Sequence, residues 1–156
     1  MVNPIDSGDT AWLLVCCSLV LLMTPALALF YGGMVRRKNV LSTLTLSYTF
    51  MALIGIQWVL YGYSLSFGQD IQGLIGGLDF IGFGGVGALP NAAYSKTVPH
   101  GLFAAFQMMF AVITPALITG AFVERVKFIS FLVFSLLWAT LVYDPLCHWV
   151  WGQGGW

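Results

Sequence analysis

Residues 10–35 read TAWLLVCCSLVLLMTPALALFYGGMV, and no Asp, Glu, Lys or Arg interrupts them. A helix rises about 1.5 Å per residue, so roughly eighteen to twenty apolar residues cross the roughly 30 Å hydrocarbon layer of a bilayer. Three further stretches have the same character. Residues 39–69 and 97–123 carry no charged side chain, and residues 128–156 carry only Asp144. The pattern predicts four membrane spans, at residues 11–31, 41–66, 99–122 and 128–149. It reads as one all-α membrane domain over residues 1–156.

Composition agrees. Hydrophobic residues make up 59% of the chain and charged residues 8%, with a formal net charge of zero. A soluble domain carries about a quarter of its residues charged, so a soluble catalytic domain is excluded, and nothing favours nucleic acid as a partner. No nucleophile–base pair, phosphate loop or haem motif is present, and an enzyme is the wrong class. Cys16, Cys17 and Cys147 have no metal-ligand spacing and read as small packing residues. No metal or other cofactor is expected. Asp6 and Asp9 precede the first span without a Lys or Arg, so no signal peptide is expected and span one is retained.

Five of the six basic residues fall in two short connections, Arg36-Arg37-Lys38 and Arg125 with Lys127. Four crossings put both connections on one side, which the positive-inside rule makes cytoplasmic. The N-terminus and Trp156 are then outside. Lys96, Asp70 and Asp79 share an outer loop at residues 68–98, where eight glycines lie between Gly68 and Gly87. That backbone freedom disfavours a fifth span and allows an ordered cap. Small residues four apart, Ala28/Gly32 and Ala116/Gly120, permit close helix approach in lipid. Pro25 and Pro115 are expected to kink spans one and three.

Span three places Phe103, Phe106 and Phe110 on one helical face. Counted from Pro99, Phe106 lies about 10 Å along the span and Phe110 about 16 Å, near mid-membrane. The stripe reads either as packing or as an aromatic lining whose π faces attract a small cation. Trp149 and Trp151 end span four, either as an interfacial belt or as the roof of an outer vestibule. Asp144 lies about 24 Å along span four, where Pro145 is expected to bend it out of helical geometry. It reads as a hydrated acid at a break or as a pore-mouth charge that concentrates cations. If the helix persists, Asp144 can pair with His148. His100, at the outer start of span three, reads as solvated. Neither histidine forms a proton relay at mid-membrane.

Five segments together resemble the ammonium transporter (Amt/Mep/Rh) family. They are ALFYGGMVRRKNVL at residues 28–41, WVLYGYSLSFG at 58–68, AFQMMFAVIT at 105–114, GAFVER at 120–125 and PLCHWVWG at 145–152. Their order and spacing also match, over nearly the whole chain. The resemblance implies an outer ammonium recruitment site at Phe110 and Trp151, with Phe106 lining the same vestibule and Phe110 the outer member of a phenylalanine gate. It implies a structural role for Glu124-Arg125. It also implies ammonium or ammonia as substrate, with methylammonium as analogue, in the lipid bilayer of the cell membrane. A homotrimer and a cytoplasmic PII-type regulatory protein are the implied partners. Such transporters have about eleven spans in two inverted halves, so this chain is expected to hold the first four. The family's second gate phenylalanine, its Asp-Phe-Ala-Gly-Gly segment and both pore histidines have no counterpart here; His100 and His148 do not align with them. Asp144 falls in no family motif. Two rival readings are an ammonium-sensing membrane domain of a signalling protein and a non-transporting assembly subunit.

Overall fold

The computed structural model describes residues 5–156; the expectation that no signal peptide is present rests partly on residues 1–4, outside them. Among the described residues, four helices are long and apolar enough to cross a membrane, at Ser7–Met34, Arg37–Phe67, His100–Phe122 and Phe128–Trp151. These are spans one to four, and each bound lies within four residues of the one expected from charge spacing, span three starting one residue later than expected. Span one is a single helix, α1 (Ser7–Met34), started by the Asp6 carboxylate, which accepts from Asp9 N at 2.8 Å. Span three is α4 (His100–Phe122). Both run unbroken through the prolines expected to kink them, Pro25 and Pro115.

Spans two and four are composite. In span two, α2 (Val40–Gln57) passes into a π turn at Trp58–Gly62 and then α3 (Tyr63–Phe67). In span four, α5 (Phe128–Trp138) passes into a π turn at Ala139–Tyr143 and then α6 (Asp144–Trp151). Tyr63 N donates to Trp58 O and Asp144 N to Ala139 O, the five-residue reach of a π helix. The second π turn corrects the expected break at Pro145. Proline has no N–H and its ring crowds the carbonyl four residues back. The wider turn just upstream absorbs that defect, and Asp144 stays helical at φ −60°, ψ −46°.

The core lies where spans two, three and four meet. Phe50, Ile54, Trp58, Tyr63 and Phe67 from span two pack with Ala104, Ala111, Val112 and Ala116 of span three and Phe131, Ala139 and Cys147 of span four. Trp58 Nε1 donates to Ala104 O at 3.2 Å, fixing the indole at the seam. All three cysteines are free.

The glycine-rich outer loop is an ordered cap. Strands β1 (Asp70–Ile71) and β2 (Ile75–Gly76) pair antiparallel, as do β3 (Pro90–Asn91) and β4 (Ser95–Pro99). The first turn needs Gln72 and Gly73 at φ +58° and +72°, the geometry of tight hairpin turns. The cap is fastened to span two. Ser64 Oγ donates to Gly77 O at 2.8 Å and accepts from Phe80 N at 2.9 Å. A Cβ on Gly76 would lie 2.6 Å from Ser64 O, so only glycine allows this approach.

Candidate functional site

The three phenylalanines of span three do not act as one stripe. Phe103 stacks on Tyr94 at 5.8 Å and meets Phe67 edge-on at 5.3 Å, so it belongs to the packing under the cap. Phe106 and Phe110 pair edge-to-face at 5.1 Å. Phe110 is 37% exposed, although it sits near the middle of a spanning helix. Thr114, one turn further, donates to Phe110 O at 2.6 Å.

The two tryptophans of α6 also divide. Trp149 Nε1 donates to Leu74 O at 2.7 Å, and its ring stacks on Trp156 at 5.8 Å. It is tied to the cap. Trp151 makes no such bond and is 64% exposed. It borders a cleft of about 260 Å³ with Thr114, Trp138, Tyr143, Leu146, Cys147 and Val150. Phe106 and Phe110 do not line this cleft; Thr114 links it to the Phe110 turn. Between His148 and Gln153 the cap holds three points, the third being Tyr94 Oη, which accepts from Gln153 N at 3.0 Å. Trp151 is the aromatic residue in this stretch left on the free face.

Asp144 and both histidines depart from expectation. Asp144 is fully buried and reaches no outer mouth; Gln57 Nε2 donates to its Oδ2 at 2.6 Å. The physical reason is the π turn, which keeps α6 helical and turns Asp144 into the seam with span two. The Asp144–His148 pair does not form. His148 is buried, with Nδ1 3.0 Å from Ser66 O and Nε2 3.0 Å from Asp70 Oδ1. That bond and a second from Gly73 N hold the Asp70 carboxyl below the usual aspartate range. His100, read as solvated, is 2% exposed, with Nε2 2.6 Å from the Tyr63 hydroxyl. Partners for these groups came from the cap and from span two, 37 to 87 residues away, a separation that local spacing does not encode.

At the basic end, Glu124 sits at φ +67° and ties the two connections together. It accepts from Arg36 N at 3.0 Å and Asn39 Nδ2 at 2.7 Å, and these bonds hold its carboxyl below the usual range. A cleft of about 360 Å³ opens there, with Arg125 and Lys127 at its rim and Leu46, Phe122 and Phe131 at its floor.

Four spans, π turns in two of them, and aromatic side chains presented partway along the helices define a multi-pass membrane protein built like a transporter module. The Ammonium Transporter Family model matches residues 11–156, and the chain belongs to that family. It is 57% identical over 149 residues to the ammonium transporter of Bacillus subtilis, covering 96% of this chain and 36% of that protein. To ammonium transporter Amt1 of Archaeoglobus fulgidus it is 44% identical over 151 residues, with coverage of 97% and 36%. Among solved structures, Saccharomyces cerevisiae Mep2 superposes with a TM-score of 0.85 at 38% identity, covering 97% of this chain and 33% of that one. A structure described as a sensor Amt protein superposes with a TM-score of 0.80 at 25% identity, covering 90% and 33%. The chain thus spans about a third of the length of the relatives it matches, with the fold of the transporter's N-terminal part.

Proposed function

We propose that residues 1–156 form part of the membrane domain of an ammonium transporter and carry the outer end of its substrate path. Ammonium is captured against the π faces of Trp151 and Phe110, with Phe106 lining the same vestibule. Phe110 then serves as the outer leaf of a phenylalanine gate. The observation that carries this reading is the Phe106–Phe110 pair, with Phe110 exposed at mid-span. An aromatic face there attracts a cation by about 0.5–2 kcal/mol and excludes water. Past the gate, low dielectric favours the neutral amine. The N-terminus and the cap lie outside, the basic connections lie in the cytoplasm, the intact protein is a homotrimer, and a PII-type regulatory protein docks on the cytoplasmic side.

The test is methylammonium uptake by the intact protein in cells without ammonium transporters of their own. Saturable uptake that falls in Phe110→Ala and whose KM rises in Trp151→Leu supports the reading. Uptake indifferent to both substitutions refutes the site. The likeness to a sensor Amt protein favours one alternative, an ammonium-sensing membrane domain. Substrate-dependent signalling by the intact protein without net uptake would select it.

A further inference from the structure

Asp144 is an acid well inside span four, whereas Asp9 lies in the first turn of span one, and Asp144 is sealed from solvent at 0% exposure; Gln57 is 2% exposed. One hydrogen bond joins them, from Gln57 Nε2 to Asp144 Oδ2. The remaining oxygens, Gln57 Oε1 and Asp144 Oδ1, are both buried without a donor. Each is an acceptor, so neither serves the other unless a proton lies between them. Neither residue lines the cleft at the basic end, the cleft bordered by Asp70, Tyr94 and Gln153 under the cap, or the cleft beside Trp151. Among the described residues no cation pairs with Asp144. His148, one turn on, is turned to Ser66 O and Asp70. The other groups around Asp144 are uncharged: Tyr143 and Cys147 on its own helix, and from span two Gln57 and Ser66, whose hydroxyl donates to Asp144 O at 3.4 Å. A bare carboxylate here would be an unpaired charge in the membrane interior.

A second, independent feature lies beside the pair. The π turns of spans two and four face each other. Tyr61 Oη lies 3.2 Å from Thr140 Oγ1, and Trp58 meets Tyr143 with ring centroids 6.3 Å apart. Gln57 is the residue before one π turn and Asp144 the residue after the other. A Cβ on Gly62 would lie 2.7 Å from both Oε1 and Nε2 of Gln57, so the amide is seated against the bare backbone of the turn. Such turns recur at functional sites.

We propose that Asp144 keeps its proton in the folded protein and donates it from Oδ1 to Gln57 Oε1, closing a two-bond ring that locks span two to span four at their facing π turns. Asp144 is then a positioning residue. It touches no substrate, and it sets the helix that carries Trp151 two turns above.

The intact protein in lipid nanodiscs tests this by infrared difference spectroscopy at neutral pH, wild type against Asp144→Asn. The expected result is the carbonyl band of a protonated carboxylic acid in the wild type, absent from the variant. Asparagine supplies the same donor and acceptor, so Asp144→Asn keeps or raises thermal stability at neutral pH, and it removes the fall in stability with rising pH that ionisation of Asp144 on unfolding imposes on the wild type. Asp144→Ala and Gln57→Ala lower the folded-to-unfolded ratio about 3- to 20-fold, the range for side-chain hydrogen bonds between membrane helices. Absence of the acid band, or asparagine as damaging as alanine, overturns the proposal. The spectrum and melting curve need no transport, so these results stand apart from the ammonium reading.

Discussion

Replacing each α6 tryptophan by leucine separates a fastening residue from a substrate-contact residue. Trp149 donates one hydrogen bond to the Leu74 carbonyl and stacks on Trp156. A net hydrogen bond contributes about 0.5–1.5 kcal/mol and an aromatic pair a similar amount. Trp156 is 88% exposed, so the stack falls at the low end, and about 1–2 kcal/mol in total is expected. Trp149→Leu should therefore lower the melting temperature by a few degrees and leave KM for methylammonium within about 2-fold of wild type. Trp151 has no bond to the cap and two-thirds of its surface is free. Its loss removes a cation–π contact of about 0.5–2 kcal/mol, which is roughly a 2- to 30-fold rise in KM where substrate release outpaces transport. Its melting temperature should stay near wild type. Differential scanning fluorimetry and uptake kinetics on the intact protein read the two effects separately. If Trp151→Leu lowers the melting temperature as much as Trp149→Leu without moving KM, the division of labour is wrong and both are belt residues.

Three other outcomes are expected. Gly76→Ala forces a Cβ to 2.6 and 2.7 Å from the Ser64 and Leu65 carbonyls and should cost about 1–3 kcal/mol, whereas Gly87→Ala meets nothing within 4 Å and should be neutral or stabilising in a melting assay. Single cysteines at Ser7 and Val126, in a cysteine-free background, should label from opposite sides of the membrane; labelling of both by an impermeant outer reagent would contradict the topology. Asp70 has a folded pKa below its ordinary 3.8, so its contribution is present above that value and is lost as pH falls through the lower folded one. Melting curves between about pH 5 and pH 2 should fall less steeply in Asp70→Asn.

Charge spacing carried the spans because a bilayer sorts residues by one property, and a single Asp, Lys or Arg is a large fraction of the signal. Segment order carried the family. Three things escaped. The π turns escaped because Trp58 to Gly62 and Ala139 to Tyr143 carry no signal that tells a wider turn from an α-helix; Pro145 signalled a defect without saying whether the helix would break or widen. The burial of Asp144, His100 and His148 escaped because each partner lies in another span or in the cap. The split between Phe103 and the Phe106–Phe110 pair escaped because all three share one face by periodicity. The cap's Tyr94 takes Phe103 out of the stripe.

Span one shows why size, more than polarity, organises these helices. Its exposed residues, among them Trp12, Leu19, Leu22, Leu29 and Phe30, are as apolar as those facing protein. In lipid there is no hydrophobic gain from pairing two such surfaces, so periodicity of hydrophobic residues cannot tell a lipid face from a protein face. The buried residues of α1 are Thr24, Ala28 and Gly32, all small. Yet the two glycines of the small-residue repeats act differently. A Cβ on Gly32 would meet Leu44 and Val40 at 3.5 and 3.6 Å, ordinary contact, so alanine fits there. A Cβ on Gly120 would lie 2.7 Å from Tyr31 Cε1, and that ring is held by its hydroxyl, which donates to Leu117 O at 2.9 Å. Gly120 is therefore a seat for a tyrosine that staples span one to span three. The four-residue spacing at Gly32 marks only close packing.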